Sequence, residues 1–134
     1  MERALIRPVI LRLSVAMLLL SPIVSANCKV PQINGLWEGA AMDNAGTVMA
    51  CAMFIKGSNL QDGSGCSDSL GGSGPLEDAA VTLDKDVCVI EIAANYLGMA
   101  HAFTLTIDRK RVVATGFVQN ADGDIGTATL VKKP

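Results

Sequence analysis

The sequence predicts a small all-β domain, an antiparallel up-and-down barrel or curled meander sheet of about seven strands with two disulfides, preceded by a signal peptide helix. Three observations predict it. Helix signals are nearly absent after residue 26. Short apolar or alternating runs there are cut repeatedly by Gly, Asn and Asp, the pattern of an antiparallel sheet. Finally, all four cysteines fall in this later part, which suits a small exported domain held by cross-links.

The chain opens with Arg3, Arg7 and Arg12, then an apolar run from Leu13 to Val24 that is shorter than the ~20 residues a membrane span needs. Pro22 breaks the run, and Val24-Ser25-Ala26 suits signal peptidase, so residues 1–26 read as a signal peptide cleaved after Ala26. A lipoprotein signal would want Gly, Ala or Ser before Cys28, and Asn27 stands there. The expected location is therefore periplasmic or secreted, with no membrane attachment after cleavage. Residues 27–134 form the single domain.

Of 134 residues, 26 belong to the leader and 108 remain, enough for one core. Eight Lys and Arg face twelve Asp and Glu there, a net charge of −4, and the one basic cluster is the short Arg109-Lys110-Arg111. Nucleic acid, which needs a basic face, is not an expected partner.

Cys28, Cys51, Cys66 and Cys88 are expected to form two disulfides. Their gaps of 23, 15 and 22 residues contain no CxxC and the chain has one histidine, so zinc is not expected. Three connectivities are possible; a turn at residues 57–60, midway between Cys51 and Cys66, slightly favours 51 with 66 and 28 with 88.

The first strand is expected over residues 33–40, and Asp43-Asn44-Ala45-Gly46 turns the chain into a second over 47–56. Residues 57–75, rich in Gly and Ser, read as a long loop or weakly paired ribbon. Strands follow over 80–83, 87–93, 102–107, 112–118 and 125–131, separated by turns rich in Asp, Asn and Gly. Phe103, Leu105 and Ile107 alternate with Thr104, Thr106 and Asp108, so one face should be buried and the other wet.

Gly35-Leu36-Trp37 resembles the GxW at the first strand of calycin-type barrels: lipocalin-like, avidin-like and small bacterial metalloprotease inhibitor proteins. The resemblance implies a barrel with Trp37 closing one end. The chain departs from those families in having a short domain and a single Trp, and in placing Cys28 where an inhibitor would need a free amino-terminal arm.

No GxSxG or HExxH occurs, and no motif calls for a cofactor. Asn120-Ala121-Asp122-Gly123-Asp124 starts like a calcium loop, but Ile125 and Val131 stand where Gly and an acidic residue belong, so a hairpin turn is expected. His101 follows a turn and is expected at a strand mouth, solvated rather than catalytic. With Trp37 and Tyr96 it makes the candidate ligand-binding set. The expected function is non-enzymatic binding of a small apolar ligand or another exported protein; the alternatives are a secreted protease inhibitor and a structural envelope protein.

Overall fold

The computed structural model describes residues 27–134; the signal peptide expected over residues 1–26 lies outside the described residues. A single helical turn, α1 (Val30–Ile33), precedes nine strands: β1 (Gly35–Asp43), β2 (Val48–Lys56), β3 (Asn59–Leu60), β4 (Gly65–Asp68), β5 (Ser73–Asp84), β6 (Val89–Tyr96), β7 (Met99–Ile107), β8 (Val113–Asn120) and β9 (Ile125–Lys132). Every pairing is antiparallel. The order β1-β2-β4-β5-β6-β7-β8-β9 returns to β1, so eight strands close a barrel, and β3 is a short addition beside the far end of β2. Closure leaves no long sheet edge for another chain to pair with.

The expected count of about seven strands is corrected by the segment read as a loop. Within residues 57–75, β4 pairs with β2 on one side and β5 on the other, and β5 begins at Ser73. Gly65, Cys66, Ser67 and Asp68 have little intrinsic strand preference. What holds them is the Cys51–Cys66 bridge across directly opposed residues, Cα atoms 4.1 Å apart. The expected first strand, 33–40, is also shifted: Val30–Ile33 is helical, with Pro31 in its first turn and the Lys29 amide donating to Gln32 Oε1 at 2.7 Å. The strand proper starts at Gly35.

Inward side chains alternate with outward ones along the strands, broken in β5 by an irregularity between Glu77 and Ala80, so the period of two carries the core. Phe103, Leu105 and Ile107 are buried as expected. With Met53, Ile55, Ile90, Ile92, Leu130 and Trp37 they fill the barrel interior, an eight-stranded cross-section being just wide enough for side chains.

The two ends differ. Residues 28–34 lie across the first, which receives the turns after β2, β5 and β7 and the carboxyl terminus. Ile33 and Cys28 are buried there, and Cys28 is bridged to Cys88 in the β5–β6 turn. That bridge closes a separation of 60 residues, which on a chain-entropy account stabilises the domain by about 4 kcal/mol, against about 3 for the 15-residue Cys51–Cys66 loop. The second end carries the turns after β1, β4, β6 and β8 and has no such cover among the described residues.

Candidate functional site

At the uncovered end the barrel opens into a cavity of about 300 Å³, at the small end of the range for ligand sites. Buried Ala41, Met49 and Val118 form its inner surface; each points inward from the mouth-side part of β1, β2 or β8. Tyr96 and His101, from β6 and β7, line it too, while Asp43, Thr47, Asp68, Leu70, Leu97, Asn120 and Asp124 come from the four mouth turns or the strand ends beside them.

Several rim carboxylates have clear structural reasons to be where they are. Asp43 Oδ1 accepts from the amides of Ala45 and Thr47, both at 2.9 Å, closing the β1–β2 turn. Asp68 Oδ1 accepts likewise from Leu70 and Gly72, both at 2.9 Å. Short acidic side chains do this because they mimic a backbone turn. Asn120 Oδ1 accepts from Asp122 and Asp124 at 3.0 and 3.1 Å, so this segment is a side-chain-capped hairpin turn. Among the described residues no group of three His, Cys, Asp or Glu is placed to hold a metal ion.

The Tyr96 hydroxyl donates to Asp68 Oδ2 at 2.9 Å, tying β6 to the β4–β5 turn across the cavity wall. Burial pushes the Tyr96 phenol up from 10.0 to about 12, and the Asp68 carboxylate adds to the effect. Asp68 is held below the usual carboxylate range, first by the Gly72 amide and then by the Tyr96 hydroxyl. Because the folded state holds the phenol proton more tightly, its contribution to stability is complete below pH 10 and is lost as pH rises from 10 towards 12. Tyr96 is the only tyrosine, so its ionisation can be followed directly by ultraviolet absorbance. The expected midpoint is near 12 while the barrel stays folded, dropping part of the way towards 10 in Asp68→Asn; a wild-type midpoint of 10 would contradict this packing.

His101 packs edge-on to Tyr96, centroids 5.9 Å apart at 73°. Its Nδ1 lies 2.9 Å from the Met99 carbonyl oxygen. A carbonyl only accepts, so Nδ1 carries the proton in that bond and neutral His101 has Nε2 as its acceptor. The partner that orients the ring is thus backbone, with no serine or carboxylate in that bond.

Leu97 and Gly98 form a two-residue hairpin turn with φ of 50° and 79°, the geometry for which Asn-Gly is the easy choice. A leucine in this region is strained, yet its side chain is 59% exposed at the cavity rim. The strain places an apolar group at the mouth where a polar one would fold more readily.

The structure brings Tyr96 and His101 together and leaves Trp37 apart. Trp37 is fully buried near the covered end, its indole N–H donating to the Ile33 carbonyl at 2.8 Å, and it does not line the cavity. The cysteines pair 28 with 88 and 51 with 66. Sequence reasoning missed the residues of the other three mouth turns, above all Asp43, Asp68 and Asp124. A wider concavity of about 690 Å³ lies on the outer wall. Its lining is mostly Gly and Ala, and its buried Ser64 hydroxyl already accepts from the Phe54 amide at 2.9 Å.

No protein-family model matches the sequence, and no curated protein does. Solved structures do share the fold. A redesigned β-barrel, mFAP0, bound to DFHBI, aligns with TM-score 0.56 at 18% identity, over 75% of this chain and 99% of its own. A de novo designed fluorescence-activating β-barrel aligns with TM-score 0.58 at 12% identity, over 78% of this chain and 96% of its own. At such identities the likeness concerns the fold alone: a small β-barrel, which agrees with the GxW resemblance at that level.

Proposed function

We propose that this protein is a non-enzymatic binding protein that takes a small, partly apolar ligand in the mouth of its barrel. The observation that carries the reading is the cavity itself: one end of an otherwise filled barrel is left open, with apolar side chains inside and Tyr96 and His101 beside them. The backbone-oriented histidine and the strained, exposed Leu97 support it. That the barrel mFAP0 is bound to DFHBI indicates only that a barrel of this size can accommodate a small organic molecule. An inhibitor working through a free amino-terminal arm is less well supported, since Cys28 is bridged and the Asn27 carbonyl accepts from Arg111 at 2.6 Å.

We place the protein in an exported, oxidising compartment, a reading that the two disulfides support. Intact mass of native protein should match Asn27 to Pro134 less four hydrogens, and a chain that retains Met1 would contradict it.

Thermal melts against a panel of small organic ligands test the binding reading. A ligand at ~100 times its Kd stabilises by about 2.7 kcal/mol, a rise of roughly 10 °C or more in Tm for a domain of this size. Val118→Trp, which fills the cavity from inside, should keep the fold and abolish the shift; Met99→Trp is the second blocking variant. An unmoved Tm across the panel would remove the reading.

A further inference from the structure

The cations of residues 27–134 gather at one end of the barrel, whereas the carboxylates are divided between both ends, with Asp62, Asp84, Asp86 and Asp108 among the cations in the covered-end turns. All eight Lys and Arg of residues 27–134 sit at the covered end: Lys29 beside α1, Lys56 at the end of β2, Lys85 in the β5–β6 turn, residues 109–111 in the β7–β8 turn, and Lys132 and Lys133 at the carboxyl terminus. None lies in a mouth turn or lines the mouth cavity. Asp43, Asp68 and Asp124 do line it, Asp122 shares a turn with Asp124, and Glu77 and Asp78 flank the mouth on β5 beside Tyr96 and Asn95. The carboxylates alone would make an ordinary set of turn caps. Here they ring an apolar cavity, and among the described residues no Lys or Arg at that end offsets their field.

We infer that the ligand of the mouth cavity is an organic cation: an amine or quaternary ammonium group on an apolar body small enough for about 300 Å³. This rests on the mouth being a ligand site, as proposed above. The apolar body displaces water from Ala41, Met49 and Val118, and the cationic group remains at the rim between Asp43 and Asp124. Low-dielectric walls focus the field of the carboxylates into the opening, raising the local concentration of cations and repelling carboxylates and phosphates. The aromatic ring of Tyr96 in the wall favours a cation for the same electrostatic reason. An anionic ligand of equal shape would meet three carboxylates and, among the described residues lining the cavity, no Lys or Arg.

Three probes with one apolar body separate charge from shape: 4-phenylbutylamine, 4-phenylbutanol and 4-phenylbutyrate, titrated calorimetrically into the purified protein at neutral pH. The amine is expected to bind roughly tenfold or more tightly than the carboxylate at low ionic strength, with the alcohol between them. In ~0.5 M NaCl the gap should narrow to about threefold or less. Asp124→Asn, whose side chain keeps the shape of the turn, should lower the amine-to-carboxylate ratio about threefold with little change for the alcohol. Binding of all three with equal affinity, blocked by Val118→Trp, would overturn the charge preference and leave the site standing; preferential binding of the carboxylate would overturn it too. Failure of all three to bind would remove the mouth as a site and the preference with it.

Discussion

Replacing Gly116 by alanine is expected to cost about 4 kcal/mol or more, a large part of the 5–15 kcal/mol typical of a domain. Gly116 faces inward on β8 opposite Leu105, and a Cβ there would fall on the Thr104 carbonyl oxygen and lie 3.1 Å from Leu105 Cα. Gly39 on β1 is in the same position towards β9, where a Cβ would strike the Thr129 carbonyl and sit 2.7 Å from Leu130 Cα. Neither glycine has positive φ. The requirement is close approach: the barrel wall bends sharply enough that neighbouring backbone occupies the space of a side chain. No rotamer change relieves a clash with a carbonyl in the ladder, so either the strand shifts or its hydrogen bonds break. Gly46→Ala is the control, since a Cβ there meets nothing within 4 Å and only the φ of 88° opposes it, a cost of about 1–2 kcal/mol. Urea denaturation of the variants separates the two effects; Gly116→Ala and Gly46→Ala unfolding at the same midpoint would refute the close-approach account.

The strands with clean alternation were legible in the sequence for the same reason they are stable. Phe103, Leu105 and Ile107 supply both the period of two and the buried face. Cys51 with Cys66 was readable because a turn lies between them. The missing strand was not, because Gly65 to Asp68 form one through β2, β5 and a disulfide, none of which is local. That omission also hid the charge pattern. In an up-and-down barrel every second turn shares an end, so the gathering of the cations at one end shows only if all strands are counted. Dropping one strand between β2 and β5 moves the Asp84-Lys85-Asp86 and Arg109-Lys110-Arg111 turns to the wrong end. His101 was placed at a mouth by the turn it follows, whereas Trp37 joined the candidate set on a three-residue motif that says it closes an end, and that end is the covered one.

Trp37→Ala should therefore destabilise the barrel severely without having touched the ligand. The indole is fully buried opposite Met53, and its N–H is the donor that the Ile33 carbonyl accepts from. The Lys132 ammonium lies 6.0 Å from the ring centroid and donates to the Gln32 carbonyl at 2.8 Å, so strand β9 and the cover meet at this residue. Removing the ring leaves a cavity worth about 3–5 kcal/mol and strips a buried carbonyl of its partner. Trp37→Phe keeps most of the volume and loses the hydrogen bond, so its cost should be about 1–3 kcal/mol. Chemical denaturation measures both. Affinity for a mouth probe distinguishes a structural tryptophan from a binding one: in folded Trp37→Phe it should stay within about twofold of wild type, since a change of about 1.4 kcal/mol, or tenfold, requires a contact that the far end of the barrel does not make. A tenfold loss would return Trp37 to the binding set and show that the covered end and the mouth are coupled through the packed interior.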